Sequence, residues 1–178
     1  MTTRPPNAAP DAAARSDAPH RPANDAARQM ARQMLDAARD AVLAVLDEGG
    51  WPQVSRIALQ TDAAGTPLAL LSGLALHSAA LTRDPRAALL IDMAPGAAPA
   101  RGTALARPRL SLQVRALRVD DAAETAMLHE DWRARDPKSA VYLGLPDFRF
   151  WRLQVQGGLL NAGFGSAFRL SEADLARP

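Results

Sequence analysis

Apolar and polar residues alternate along several stretches of the chain, a pattern typical of β-strands that are buried on one face. The clearest case is 108–119, where Leu110, Leu112 and Val114 alternate with arginine, serine and glutamine. Continuous apolar runs, such as AVLAVL, are typical of more fully buried strands. We predict six or seven strands, at 41–46, 51–61, 67–71, 86–91, 108–119, 147–155 and 159–170.

Turn residues between these strands predict how neighbours pair. The segment DAAGT at 62–66 indicates a hairpin, so the strands on either side of it should be antiparallel. Gly157 and Gly158 predict a second turn, which would end one strand and begin the last one. The segment 94–107, rich in proline, glycine and alanine, is expected to be a mobile loop.

Helical spacing of apolar residues predicts peripheral helices at four places. Three of them begin with an N-cap residue, whose side chain accepts a hydrogen bond from the first turn; these caps are Asn24, Asp121 and Ser171. The fourth is a short helix after a small-residue turn, with its apolar side at Leu74, Leu76 and Leu81. The pattern indicates a mainly β (α+β) domain with peripheral helices, either an antiparallel barrel or an open α+β arrangement.

The N-terminal segment differs from the rest of the chain. After Met1, residues 1–23 contain no aliphatic side chain larger than alanine, and they are rich in proline, arginine and aspartate. Such a segment buries too little apolar surface to offset the entropy lost on ordering it. We therefore predict a disordered tail over 1–23 and a single domain over 24–178.

The composition excludes several kinds of site. Cysteine is absent, so disulfides, thiolate nucleophiles and cysteine-ligated metals are impossible. His20, His77 and His129 are far apart in sequence, and we predict no metal centre. The net charge is only +2, and the arginines are interleaved with acids rather than clustered, which argues against nucleic-acid binding.

Membrane and secretory signals are also missing from the sequence. No apolar run approaches the roughly 20 residues that span a bilayer. The N-terminus contains no apolar core of the kind that a secretory signal requires. Together with the lack of cysteine, this favours a cytoplasmic protein with no membrane contact.

The stretch 67–90 contains the clearest candidate site. A strand-like run ends at Ser72 and Gly73, and a helix follows with His77 and Ser78 in its first half. Amide groups at a helix N-terminus carry partial positive charge and bind phosphate readily. A hydroxyl and a potential cation at this position therefore indicate an anion site.

Arg56 lies on a strand face where its neighbours Val54 and Ala58 are apolar. It is either a rim arginine, whose stem packs on the sheet while its charge reaches water, or a cation inside a pocket; the pattern leaves both interpretations open. The chain contains no GxSxG, HExxH, Walker A or GxGxxG motif. If the protein is an enzyme, we expect a cofactor to supply the chemistry.

Several sequence blocks together resemble the pyridoxamine 5′-phosphate oxidase-like split-barrel superfamily, and within it the haem-utilisation-like branch. The resemblance covers about 27–170 and is carried by VSRIAL, LLSGLALHSAAL, DPRAALLI, PRLSL, YLGLPDFRFWRL and NAGFGSA. It implies a six-stranded antiparallel split β-barrel. It also implies a homodimer with FMN in each of two clefts at the subunit interface.

The resemblance further implies a set of cofactor-binding residues. Arg56 matches an arginine that reaches the FMN phosphate or ribityl chain, and Ser72 matches a hydroxyl residue at the strand end. His77 and Ser78 match a polar pair at the phosphate, and Arg109 matches a polar residue on the strand beside the flavin. With the turn after the strand included, the predicted set is Arg56, Ser72, Gly73, Leu74, His77, Ser78 and Arg109.

Three functions follow from the sequence. An FMN-dependent oxidoreductase acting on an unknown small molecule is favoured, because the chain offers a phosphate cradle and a flat apolar slot. A haem-binding or haem-degrading protein is the alternative that the branch permits, although only His77 lies near the site as an axial ligand. The third is a cofactor-free dimeric module. We expect the dimer interface to involve barrel strands and the aromatic segment 148–151.

Overall fold

The computed structural model describes residues 20–93, 104–163 and 165–177. Within these ranges the chain forms eight strands and five α-helices. The strands are β1 (Arg21–Pro22), β2 (Asp40–Leu46), β3 (Pro52–Thr61), β4 (Pro67–Ser72), β5 (Arg86–Asp92), β6 (Arg109–Arg118), β7 (Phe148–Asn161) and β8 (Ala167–Leu170). The helices are α1 (Asp25–Ala37), α2 (Leu76–Arg83), α3 (Ala122–Arg135), α4 (Ala140–Leu143) and α5 (Glu172–Leu175).

Six of the strands form a closed antiparallel barrel. Hydrogen-bonded neighbours follow the order β7-β4-β3-β2-β5-β6, and β6 pairs again with β7 to close the ring. β8 pairs with the C-terminal part of β7, and the short β1 adds to β8 in parallel. The predicted six-stranded antiparallel barrel with peripheral helices is therefore confirmed.

The barrel interior is filled by the inward-facing residues of each strand. In β6, Leu110, Leu112 and Val114 are at most 2% exposed, while the residues between them are more open to solvent. Met34 and Leu35 on the buried face of α1 belong to the same core. Burying a side chain of this size contributes about 1.5–3 kcal/mol, so the alternation determines which face of each strand points inward.

A second, smaller core lies against the outer side of β4 and β7. It contains Trp132 of α3, Phe150 of β7 and Leu70 of β4, each at most 2% exposed. The alternate residues of β4, Ala69 and Leu71, belong to the barrel core instead. β4 is thus buried on both faces, which explains why its sequence is a continuous apolar run.

The predicted helix caps are present. Asn24 accepts a hydrogen bond from the Ala27 amide at 2.9 Å, and Asp121 accepts one from the Glu124 amide at 2.8 Å. Ser171 begins α5 with a reciprocal capping box. In the described part of the chain, no helix combines the length and apolar character needed to cross a membrane.

The predicted turn at Gly157 and Gly158 is wrong. Both residues lie inside β7, which runs without interruption through Asn161 beside β6, and the register shifts at this point. A Cβ on Gly158 would clash with the Ser111 carbonyl oxygen, so only glycine allows the two strands to approach this closely. The two glycines therefore mark a β-bulge and not a strand end.

Two predicted boundaries also need correction or restriction. The domain begins before residue 24, because Arg21–Pro22 pair with β8 and Ala23 is only 8% exposed. The remainder of the predicted tail, 1–19, lies outside the described residues. Residues 94–103 of the predicted loop 94–107 also lie outside the described residues. Within the rest of the predicted loop, Ala104–Ala106 form a short 3-10 helix.

The apolar side of α2 is smaller than predicted. Leu81 is 1% exposed, but Leu74 and Leu76 are 87% and 72% exposed. The buried side of the helix is formed by Ser78, Ala80 and Leu81. The expectation that all three leucines share a buried face is therefore wrong, and two of them lie on the surface of the single chain.

Candidate functional site

A cleft opens where β3 and β4 separate. β3 pairs with β2 over 52–58 but with β4 only over 58–61, so β4 does not accompany the first half of β3. The resulting cleft has a volume of about 270 Å³. Its lining includes three of the predicted site residues and several apolar or aromatic ones: Arg56, Leu70, Ser72, His77, Tyr142 and Phe148.

Arg56 lies at the rim of this cleft, and its side chain is 74% exposed. Its guanidinium donates to the carboxylate of Asp40 at 2.5 Å. An exposed ion pair contributes only about 0–1 kcal/mol, so a phosphate can compete for the guanidinium or use its other donors. Arg56 is thus both a rim arginine and a cation beside a pocket.

Ser72 ends β4 and is tied to the residue before β7. Its Oγ donates to Asp147 Oδ2 at 2.5 Å and accepts from the Leu74 amide at 3.2 Å. The Gly73 amide donates to the Asp147 carbonyl at 2.6 Å. The amide hydrogens of Gly73 and Leu74 are therefore used within the chain. Neither Gly73 nor Leu74 lines the cleft, and the Leu74 side chain is exposed.

His77 lies in the first turn of α2, and its Nε2 is buried without a hydrogen-bond partner among the residues that the structure describes. Burial lowers the pKa of His77 below its ordinary value, so the imidazole is neutral at pH 7. A neutral imidazole offers either a donor or an acceptor at Nε2. His77 therefore contributes a neutral imidazole to the cleft lining and not the cation that the sequence indicated.

Ser78 lies beneath the cleft. It is 5% exposed, and its Oγ donates to the Ser72 carbonyl at 2.7 Å. This bond ties the start of α2 to the end of β4, and Ser78 does not line the cleft. The contact with a phosphate that the resemblance implies would require this bond to break.

Arg109 lies away from the cleft. It begins β6, where it is opposite Asp92 of β5 and Asn161 of β7, and its guanidinium donates to the Leu105 carbonyl at 3.1 Å. In the barrel, β2 and β5 separate β6 from β3. The single chain therefore brings Arg56, Ser72 and His77 together but not Arg109.

Sequence reasoning missed three residues at this site. The rings of Tyr142 and Phe148 stack with their centroids 5.7 Å apart and form part of the cleft wall. Burial raises the pKa of Tyr142 above its ordinary value, so its phenol stays protonated at neutral pH. The third is Asp147, the partner of Ser72. The only sequence signal for these three residues is the block YLGLPDFRFWRL, which contains all of them. They were missed because this block is far from β4 in sequence, and only folding brings the block and β4 together.

An apolar surface adjoins the cleft on the outside of the barrel. Val54 of β3 is opposite Ala44 of β2, which is opposite Ala88 of β5. Val54 is 71% exposed and Leu90 is 37% exposed. Contiguous exposed apolar residues beside a cleft are characteristic of an interface. The outer apolar surface, as we call it, consists of exposed Leu46, Val54 and Leu90 and half-buried Val42, Ala44 and Ala88.

The aromatic segment 148–151 does not supply such a surface. Phe150 is 1% exposed and packs in the smaller core, and Trp151 is 5% exposed and packs in the barrel core. Phe148 is half-buried in the cleft wall. The expectation that these aromatic side chains form a dimer interface is therefore wrong for Phe150 and Trp151, because the fold of the single chain already buries them.

Solved structures with the same fold identify relatives. One shares 52% sequence identity with a TM-score of 0.79 and matches 89% of this chain and 100% of its own. The protein Atu2129, of unknown function, from Agrobacterium tumefaciens shares 32% identity with a TM-score of 0.73. A haem-binding protein from Mycobacterium smegmatis shares 25% identity with a TM-score of 0.72. The last two matches cover 86% and 83% of this chain, which spans only 61% and 59% of those proteins.

More distant structures share the fold alone. A protein of the pyridoxinephosphate oxidase family from Clostridium acetobutylicum has 11% identity and a TM-score of 0.64, over 86% of this chain and 99% of its own. No protein-family model and no curated protein matches the sequence. The closed six-stranded barrel, the sequence blocks and these structural relatives agree. The chain therefore has the split-barrel fold of the pyridoxamine 5′-phosphate oxidase-like superfamily.

Proposed function

We propose that the protein binds FMN in the cleft between β3 and β4 and acts as a flavin-dependent oxidoreductase on a small molecule. The observation that carries the proposal is the distribution of polarity in the cleft. Arg56 places a cation at the rim, His77 presents a buried nitrogen without a partner, and the remaining walls are largely apolar or aromatic. FMN has matching parts, namely a phosphate, a polyol and a flat ring system.

The residues of the cleft divide between these parts of the ligand. Arg56 binds the phosphate through charge-assisted hydrogen bonds. His77 provides a hydrogen bond through Nε2, and Leu70 with the stacked Tyr142 and Phe148 packs against the ring. Bound FMN supplies hydride and electron transfer. The chain's own residues hold and orient it and exclude water from one of its faces.

We also propose that the protein is a homodimer and that a second copy completes the cleft. Ligand pockets usually measure about 300–1,000 Å³, whereas the cleft of one chain measures about 270 Å³ and is open. The outer apolar surface begins at the cleft rim, because Val54 lies two residues from Arg56 on the same face of β3. A second copy packed on this surface would cover both. Arg109, which does not reach its own cleft, is a candidate to reach that of the other copy.

Haem is the second candidate ligand, and one observation favours it. A haem iron normally takes an axial protein ligand, most often histidine, and His77 Nε2 has no partner among the described residues. The similar protein from Mycobacterium smegmatis is a haem-binding protein. His129 is not an alternative ligand at this cleft, because it does not line the cleft and its ring packs edge-on against Phe150 at 5.2 Å.

Parallel titrations of the purified protein with FMN and with haem test the assignment. We expect saturable FMN binding, seen as a shift of the flavin absorption bands and quenching of its fluorescence, and no sharp six-coordinate Soret band with haem. Tight haem binding that disappears in His77→Ala, together with no flavin binding, would make this a haem protein. Binding of neither ligand, together with a dimeric mass, would instead favour the cofactor-free dimeric module.

Light scattering of the Val54→Asp variant tests the dimer. A charge in the middle of the outer apolar surface should shift the mass from dimer to monomer and weaken FMN binding, because it would be buried without a partner. Met127→Asp is the matched control, since Met127 is 63% exposed on α3, away from this surface. A monomeric mass for the unaltered protein at micromolar concentration would refute the dimer.

A further inference from the structure

The hydrogen bonds around Ser72 determine what its hydroxyl can offer to a ligand. A hydroxyl has one hydrogen to donate and two lone pairs that accept. An ionised carboxylate only accepts, so the hydrogen in the 2.5 Å contact between Ser72 Oγ and Asp147 Oδ2 belongs to Ser72. The Leu74 amide uses one lone pair, at 3.2 Å. One lone pair of Ser72 therefore remains, and no hydrogen remains to donate.

Asp147 is held in place by more than this one contact. Its backbone carbonyl accepts from the Gly73 amide at 2.6 Å, directly beside Ser72. A Cβ on Gly73 would lie 3.0 Å from the same carbonyl oxygen, so the turn and the residue before β7 are closely packed. Ser72 and Phe148 are also opposite each other in the β4–β7 pairing. The backbone of Asp147 is therefore fixed beside Ser72, which keeps the carboxylate within reach of the hydroxyl.

This arrangement makes the Ser72 end of the cleft unsuitable for a phosphate. A phosphate oxygen is an acceptor and needs a donor, which Ser72 lacks while it is bonded to Asp147. The carboxylate behind Ser72 also adds a negative charge, which repels a dianion. The amides of Gly73 and Leu74 are already used within the chain. The cationic part of the cleft is at Arg56, on β3.

We propose that Asp147 is a positioning residue that turns the Ser72 hydroxyl into an acceptor for an O–H or N–H group of the ligand's uncharged part. Resting on the proposed FMN site, this assigns Ser72 to the polyol or ring and leaves the phosphate to Arg56. Asp147 does not touch the ligand. It acts by holding the hydroxyl hydrogen of Ser72 away from the cleft.

Affinities for FMN and for riboflavin, which lacks the phosphate, test this division. Ser72→Ala and Asp147→Ala should each weaken both flavins by the same factor, about three- to tenfold, the value of one neutral hydrogen bond. The double variant should be no weaker than Ser72→Ala, because Asp147 acts only through the hydroxyl. Ser72→Thr keeps the hydroxyl and should bind both flavins as tightly as the unaltered protein does. Arg56→Ala should weaken FMN alone.

The opposite arrangement gives opposite results. If Ser72 faced the phosphate, removal of the Asp147 charge would tighten FMN binding and leave riboflavin unchanged. Equal affinities in Ser72→Ala and the unaltered protein, or additive losses in the double variant, would also overturn the proposal. If the unaltered protein binds neither flavin, the FMN assignment itself fails, and this inference fails with it. Binding of both flavins with the wrong variant pattern overturns the role of Asp147 alone.

Discussion

Two clefts in the described part of the chain differ in their chemistry, and the larger of the two is not the candidate site. The cleft between β3 and β4 measures about 270 Å³, and a second cleft beside α5 measures about 350 Å³. In the larger cleft, Arg152 is paired with Asp62 and Glu124, and Arg177 is paired with Asp36. Both arginines of the larger cleft therefore have carboxylate partners in the chain.

The smaller cleft leaves polar capacity unused. His77 Nε2 has no partner among the described residues, and the Ser72 hydroxyl retains a lone pair. Arg56 is paired only at the exposed rim. Since buried polar atoms normally find partners, the unpartnered His77 Nε2 makes the smaller cleft the better candidate for a ligand of the two. Arg152 and Arg177 bond to carboxylates of other elements in the larger cleft, whereas the smaller cleft contains a nitrogen and a lone pair without partners among the described residues.

The largest expected effect is on FMN affinity. Arg56→Ala removes a charge-assisted contact with the phosphate, worth about 1.5–3 kcal/mol, and should weaken binding roughly ten- to a hundredfold. Arg177→Ala, in the larger cleft, is the matched control and should leave FMN affinity unchanged. Fluorescence titration measures both.

The reverse result would break the comparison between the clefts. Unchanged FMN affinity in Arg56→Ala would remove Arg56 from the site, and a loss in Arg177→Ala would place the ligand beside α5. Arg118→Ala provides a further control, since Arg118 is an exposed arginine that is likewise paired with a nearby aspartate, Asp120.

The next effect is on stability and belongs to the larger cleft. Arg152→Ala leaves Asp62, whose side chain is 10% exposed, without its partner at 3.0 Å. An unpaired buried acceptor costs about 1–3 kcal/mol, so urea unfolding should show a loss of this size with FMN affinity unchanged. Arg152→Met preserves the aliphatic packing and should lose the same electrostatic contribution. Unfolding midpoints equal to that of the unaltered protein would show that the pair is not structural.

The fold could be predicted from the sequence because its information is local. The alternation in β6 identifies the inward residues without knowledge of the neighbours, and Asn24 and Asp121 each cap the helix that follows them. Gly157 and Gly158 were misjudged because glycine favours both turns and bulges. Only the proximity of the Ser111 carbonyl, on another strand, distinguishes the two.

The site could be predicted only in part because its completion is not local. Arg56, Ser72 and His77 come from 54–81, where strand and helix patterns suffice to bring them together. Asp147 and the Tyr142–Phe148 wall arrive through the pairing of β4 with β7, which no periodicity in the sequence specifies. The polarity of Ser72 depends on Asp147.

The smallest expected effect concerns the pH dependence of stability and tests the buried nitrogen of His77. Burial lowers the pKa of His77 in the folded chain below its ordinary value of 6.5, while Arg56 and Tyr142 line the same cleft. Below about pH 6.5 the unfolded chain therefore takes up this proton more readily than the folded one, and stability falls as the pH falls through the folded pKa. In flavin-free protein, His77→Gln should lose less unfolding free energy between pH 7.5 and 5.5 than the unaltered chain does. Leu76→Gln, at the exposed neighbouring position, is the control and should keep the original pH dependence of stability. Identical pH profiles for His77→Gln and the unaltered protein would show that His77 is free to protonate in the folded cleft.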